Sequence, residues 1–151
     1  MCTRVSPTET ERKRKTLKPK NNIGWKIVKV KENGDYVSSQ VRHWSYTKTG
    51  ENVAIDMDYG FSLHSSDTVK YDGVFHLFAS RNIARTILHK YLELYPSLLT
   101  TGNKFRVVKV HYKKKDFVCA GTSDSIAPPM ADTFAKFKFD ALCVEKFKFA
   151  E

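Results

Sequence analysis

The sequence predicts an α+β fold, a mostly antiparallel curled sheet packed on one main helix at about residues 81–95. Three patterns carry this reading. Ile83, Ala84, Ile87, Leu88, Tyr91, Leu92 and Tyr95 recur at three- and four-residue steps, the period of one apolar helix stripe. Towards the C-terminus Phe137, Phe139, Ala141, Cys143, Phe147 and Phe149 hold odd positions, with Lys136, Lys138, Asp140, Lys146 and Lys148 between them. That alternation belongs to a half-buried strand, or two, with an aromatic inner face and a lysine outer face. Asn33-Gly34 lies between strand-like runs and is a two-residue hairpin signal.

Taken in order, residues 1–22 read as a flexible basic tail and residues 23–151 as a single α+β domain. The tail is nearly free of large apolar residues and contains the run Arg12-Lys13-Arg14-Lys15. Trp25 to Lys31 is strand-like, and the return strand runs roughly from Tyr36 to Tyr46. Residues 47–72 read as a loop-rich excursion with at most short strands. Val74 to Phe78 is the next strand, Ser80 is an N-cap candidate, and Pro96 ends the helix. Beyond a turn at Thr101-Gly102-Asn103, Phe105 to Tyr112 is a strand. Lys113-Lys114-Lys115 is a tight basic connection into Asp116 to Ala120, and Pro128-Pro129 marks a loop.

Composition narrows the function classes. Hydrophobic residues make up 41% and aromatic residues 13%, enough to build a core. No apolar run approaches the roughly 20 residues needed to cross a bilayer, so membrane insertion is not expected. Met1 to Lys20 is polar and charged, unlike a secretory signal, which points to an intracellular protein. Cys2, Cys119 and Cys143 are odd in number and contain no C-x-x-C pair, so neither a disulfide framework nor a zinc knuckle is indicated. Cys119 and Cys143 read as small buried apolar residues. The net charge is +10, and half of it falls within residues 1–24. Such an excess draws polyanions.

Individual residues suggest chemistry less directly. His76 lies in an apolar strand that runs into the helix, either as a core histidine held by a local hydrogen bond or as a site histidine at the junction. Glu145 breaks the odd, aromatic series, either turned outward by a bend or facing a cleft. Arg42, His43, Trp44 and Tyr46 cluster on the return strand, where aromatic and arginine side chains can stack bases or simply pack a sheet. Asp56-Met-Asp58 lacks a third ligand, and no metal site is read from it. No phosphate loop, nucleophile elbow or zinc-hydrolase motif occurs.

Residues Tyr71 to Ala79, with the helix that carries Ala84, resemble a group of small uncharacterised proteins of phages and large DNA viruses. Those proteins carry G-[FY]-H-x-F before an alanine-bearing helix; here one more residue separates Gly73 from His76. This resemblance implies a viral origin and a place in the host nucleus or cytoplasm, or in the virion. The same run is also similar to the second motif of ADP-ribosyltransferases of the poly-ADP-ribose type. That resemblance implies an NAD-using transferase in which His43, His76 and Glu145 line the cleft; here His43 is not followed by the family's glycine, and His76 stands where it has a tyrosine.

The leading expectation is a non-enzymatic binding module for a polyanion, namely nucleic acid, DNA or RNA, with no cofactor. Phosphate contacts are expected from Arg12, Lys13, Arg14 and Lys15, from Lys113, Lys114 and Lys115, and from Lys136, Lys138, Lys146 and Lys148. The alternatives are the transferase and a viral structural or scaffolding protein whose positive charge meets an acidic protein partner.

Overall fold

The computed structural model describes residues 3–5, 7–18, 22–38, 45–54, 62–64, 68–71, 75–94, 96, 104–123 and 139–150. The expected class holds: these residues form a curled, antiparallel, half-barrel sheet with one main helix packed on it. The chain order is β1 (Thr3–Val5), α1 (Pro7–Thr16), β2 (Asn22–Val30), β3 (Tyr36–Ser38), β4 (Asn52–Val53), β5 (Ser62–His64) and β6 (Thr68–Tyr71). Then follow β7 (Phe75–Phe78), α2 (Arg81–Leu94), β8 (Lys104–Tyr112), β9 (Phe117–Ser123), β10 (Phe139–Val144) and β11 (Lys146–Phe149). Across the sheet the order is β4-β11-β8-β2-β7-β10-β9-β1-β6-β5, with β3 added to β2.

The curl follows from the C-terminal segment. Glu145 alone separates β10, which pairs with β7 and β9, from β11, which pairs with β8 and β4. One nearly continuous segment therefore meets both β7 and β8, which flank β2. Strand β2 pairs along its whole length with β8 but meets β7 through Trp25 and Phe78 alone. A flat sheet does not allow both pairings; a curled one does.

Each face carries a core. Val28, Phe75, Leu77, Val108, Val110, Leu142, Val144, Phe147 and Phe149 fill the inner face. On the outer face, α2 sets Ala84, Ile87 and Tyr91 against Ile27, Phe78, Phe139 and Ala141, with Trp25, Phe105 and Val107 beside them. Helix α2 starts where expected, because Ser80 Oγ accepts the Ile83 N–H at 3.2 Å. Gly24 has a steric role: a Cβ there would meet Leu77 Cδ1 at 2.7 Å, so only glycine lets β2 lie this close to β7.

Four expectations change. Alternation in the last segment does not keep one face inward. Phe139 and Ala141 join the helix-covered core, whereas Phe147 and Phe149 join the inner one. The register shifts between Cys143 and Val144, and the chain bends at Glu145, so odd residues change face. The Asn33-Gly34 turn is a three-residue loop, not a two-residue one. Gly34 N–H donates to Lys31 O at 2.9 Å, Lys31 N–H donates to Asp35 O at 2.9 Å, and Gly34 takes φ +87°. This is a type I turn followed by a left-handed glycine, which an Asn-Gly pair serves equally well. The return strand is described over Tyr36–Ser38 and does not run on to Tyr46, because the chain comes back with Ser45 bridging Val37 and Tyr46 N–H donating to Tyr36 O. The excursion beyond it carries short strands, as expected.

The fourth change concerns the basic tail, which holds β1 and α1. Strand β1 pairs with β9 over Gly121 to Ser123 and with β6. Helix α1 takes over that edge of β9 where β1 leaves it. Thr10 Oγ1 donates to Ala120 O at 2.9 Å and accepts the Ala120 N–H at 3.1 Å, replacing a strand partner with one hydroxyl. Arg14 Nη2 donates to Val118 O at 2.9 Å, and its guanidinium stands 5.8 Å from the centre of the Phe117 ring. The helix needs these anchors because it presents no apolar stripe.

Candidate nucleic-acid interface

On β8 the outer-face residues are Phe105 and Val107 under α2, then Lys109 and His111 beyond it. Register places Ile23 of β2 and Lys148 of β11 on either side of His111, and residues opposite one another share a face. Ile23 is 44% exposed, an apolar patch among cations. Lys146 follows on β11, and Lys113 leads off the end of β8. Of these, His111, Lys113, Lys146 and Lys148 border a cleft of about 290 Å³, lined also by Glu51, Tyr112, Asp116, Phe147 and Phe149.

The electrostatics of the cleft are mixed. Lys113, Lys146 and Lys148 supply ammonium groups at its walls, and Lys113 lies 3.8 Å from Glu51. Asp116 is buried, and its carbonyl accepts the Glu145 N–H at 2.8 Å, tying the turn after β8 to the bend before β11. His111 Nδ1 is buried without a hydrogen-bond partner among the described residues. A buried polar atom left unpaired costs about 1–3 kcal/mol. Burial pushes the Tyr112 hydroxyl up from 10.0 to about 12, so it stays protonated well into the alkaline range.

Two of the basic clusters expected from sequence meet at this end of the sheet. Lys113, Lys114 and Lys115 make the connection from β8, a single 3₁₀ turn spanning Lys114–Asp116. Arg14 stands over Phe117, just past that turn. The chain then reaches Lys18, whose N–H and carbonyl both bond the Asn22 side chain at 3.2 Å, and Asn22 lies opposite Tyr112. Within the run 12–15, Arg14 is engaged with β9 and Lys15 pairs with Glu11 at 3.3 Å, while Arg12 is exposed. Lys136 and Lys138 lie outside the described residues.

The residues implied by the transferase resemblance occupy different surroundings. His43 lies outside the described residues, with Arg42 and Trp44. His76 is 7% exposed and sits opposite Cys143, which in turn sits opposite Cys119. Its Nε2 has no hydrogen-bond partner among the described residues. Glu145 is exposed at the bend. The hydrogen bond between Cys119 and Cys143, followed by burial, pushes the Cys119 thiol well above its usual range, which disfavours the thiolate. Asp56 and Asp58 also lie outside the described residues. Among those described, no three His, Cys, Asp or Glu side chains gather as metal ligands, and no helix is long and apolar enough to cross a membrane.

One inward-facing cation was not read from the sequence. Lys26 is 9% exposed, and its Nζ donates to His76 O at 3.4 Å. Nζ lies 5.4, 5.7 and 5.9 Å from the ring centres of Tyr46, Phe75 and Phe147. Three ring faces and one carbonyl hold this charge.

Ile23, Glu51, Lys109 and His111 were likewise missed as site residues. Their proximity arises from the register of β2, β8 and β11 and from the pairing of β4 with β11, to which no local motif points. No known protein family, curated protein or solved structure matches this chain.

Proposed function

We propose that the protein is a non-enzymatic binding module for a polyanion, and that the polyanion is nucleic acid. The observation that carries this is the convergence of Lys113, Lys146 and Lys148 on one cleft, with Lys114, Lys115 and Lys109 beside it. Several ammonium groups distributed over a strand face and its adjoining turn suit a chain of phosphates better than one compact anion. Burial of His76 and exposure of Glu145 favour this reading over an NAD-using cleft.

Fluorescence anisotropy with labelled single- and double-stranded DNA and RNA, over a range of salt, tests it. Binding weakens steeply with salt because it rests on counterion release. Replacing Lys113, Lys146 and Lys148 together with Ala flattens the slope of log affinity against log salt by about 2–3. A protein that binds no nucleic acid at low ionic strength refutes the proposal, and capture of an acidic protein instead supports the scaffolding alternative.

A further inference from the structure

Resting on the nucleic-acid reading, we infer that the cleft between β8, β11 and the Lys113–Asp116 turn seats one unpaired nucleotide of a single strand. Its volume of about 290 Å³ lies at the lower limit of small-ligand sites, the size of one nucleotide and far below that of a duplex. The wall chemistry divides in the way a nucleotide does. Lys113, Lys146 and Lys148 face the phosphate. Glu51 and Asp116 repel bare phosphate but accept hydrogen bonds from sugar hydroxyls.

His111 lines the recess and offers the base its ring, and Ile23, opposite it in register and exposed, adds an apolar surface beside the recess. A base held in a duplex is stacked and paired, and its Watson–Crick edge cannot enter such a recess. Lysines at the rim bind either form of nucleic acid; the recess selects the unpaired one.

The full chain, isotope-labelled, is titrated with adenosine monophosphate and separately with inorganic phosphate while the His111 imidazole signals are followed. Anisotropy compares one labelled oligonucleotide, single-stranded and annealed to its complement, at fixed salt. The nucleotide shifts the His111 signals and displaces the single strand, whereas phosphate does so at least tenfold less effectively. The single strand binds at least tenfold tighter than the duplex. His111→Ala weakens single-strand binding at least fivefold and changes duplex binding less than twofold, whereas Lys148→Ala, at an exposed position, weakens both. Duplex binding as tight as single-strand binding, with His111 unmoved by the nucleotide, overturns the inference and leaves the nucleic-acid reading standing. Phosphate moving His111 as readily as the nucleotide overturns it as well. Failure of every nucleic acid to bind overturns both.

Discussion

Strand β8 passes through two halves of the same sheet face. Under α2 its outward residues are Phe105 and Val107; beyond α2 they are Lys109 and His111. On the opposite face Val108, Val110 and Tyr112 are buried. The two-residue period never breaks, but the residue type on the outer face changes where the helix cover ends. Burial under α2 thus serves stability, and the half beyond it is free to carry charge and an unpaired ring nitrogen. The two halves should therefore separate in experiment.

Ile87→Ala strikes the covered half and has the largest expected effect. It removes a 5% exposed side chain from beneath α2 and costs about 2–5 kcal/mol in urea unfolding. Nucleic-acid affinity of the folded fraction should not change; a parallel loss of both would mean that the halves are coupled. Thr10→Ala tests the anchored edge of β9. It leaves the Ala120 N–H and C=O without their partner and costs about 1–3 kcal/mol, a loss that a free tail would not give.

Tyr112→Phe addresses the buried back of the cleft. Between pH 10 and about 12 the unfolded chain gives up a proton that the folded chain keeps, so stability falls as pH rises through that window. The phenylalanine variant should lose this slope in urea titrations across the window. Lys148→Ala lies at the other extreme: stability should change by no more than about 0.5 kcal/mol, while salt-dependent binding drops. A destabilised Lys148→Ala would mean that the lysine supports the sheet.

Helix α2 was legible because Ile83, Ile87 and Tyr91 repeat at its period and Ser80 stands at its start. The Lys113–Lys115 turn was legible because strand patterning stops on both sides of it. Helix α1 was not, since Thr10 and Arg14 anchor it where an apolar stripe was sought. Its signals were Pro7 at the first helical position, Glu9 in the first turn and Lys13 to Lys15 in the last, which match the helix dipole. The change of face at Glu145 was hidden because a bend moves Phe147 and Phe149 to the other core without altering their parity. The cleft was half legible: its lysines stand out in composition, but His111 and Glu51 reach it through long-range pairing.

The caged amine of Lys26 has a practical consequence. An acylating reagent that modifies exposed lysines in minutes can reach Lys26 Nζ only when the rings of Tyr46, Phe75 and Phe147 part, because that side chain is buried among them. Its modification rate, followed by mass spectrometry, is therefore a clock for opening of the half-barrel. Slowing of that clock by a bound ligand would measure, at a residue the ligand never touches, how far binding tightens the sheet.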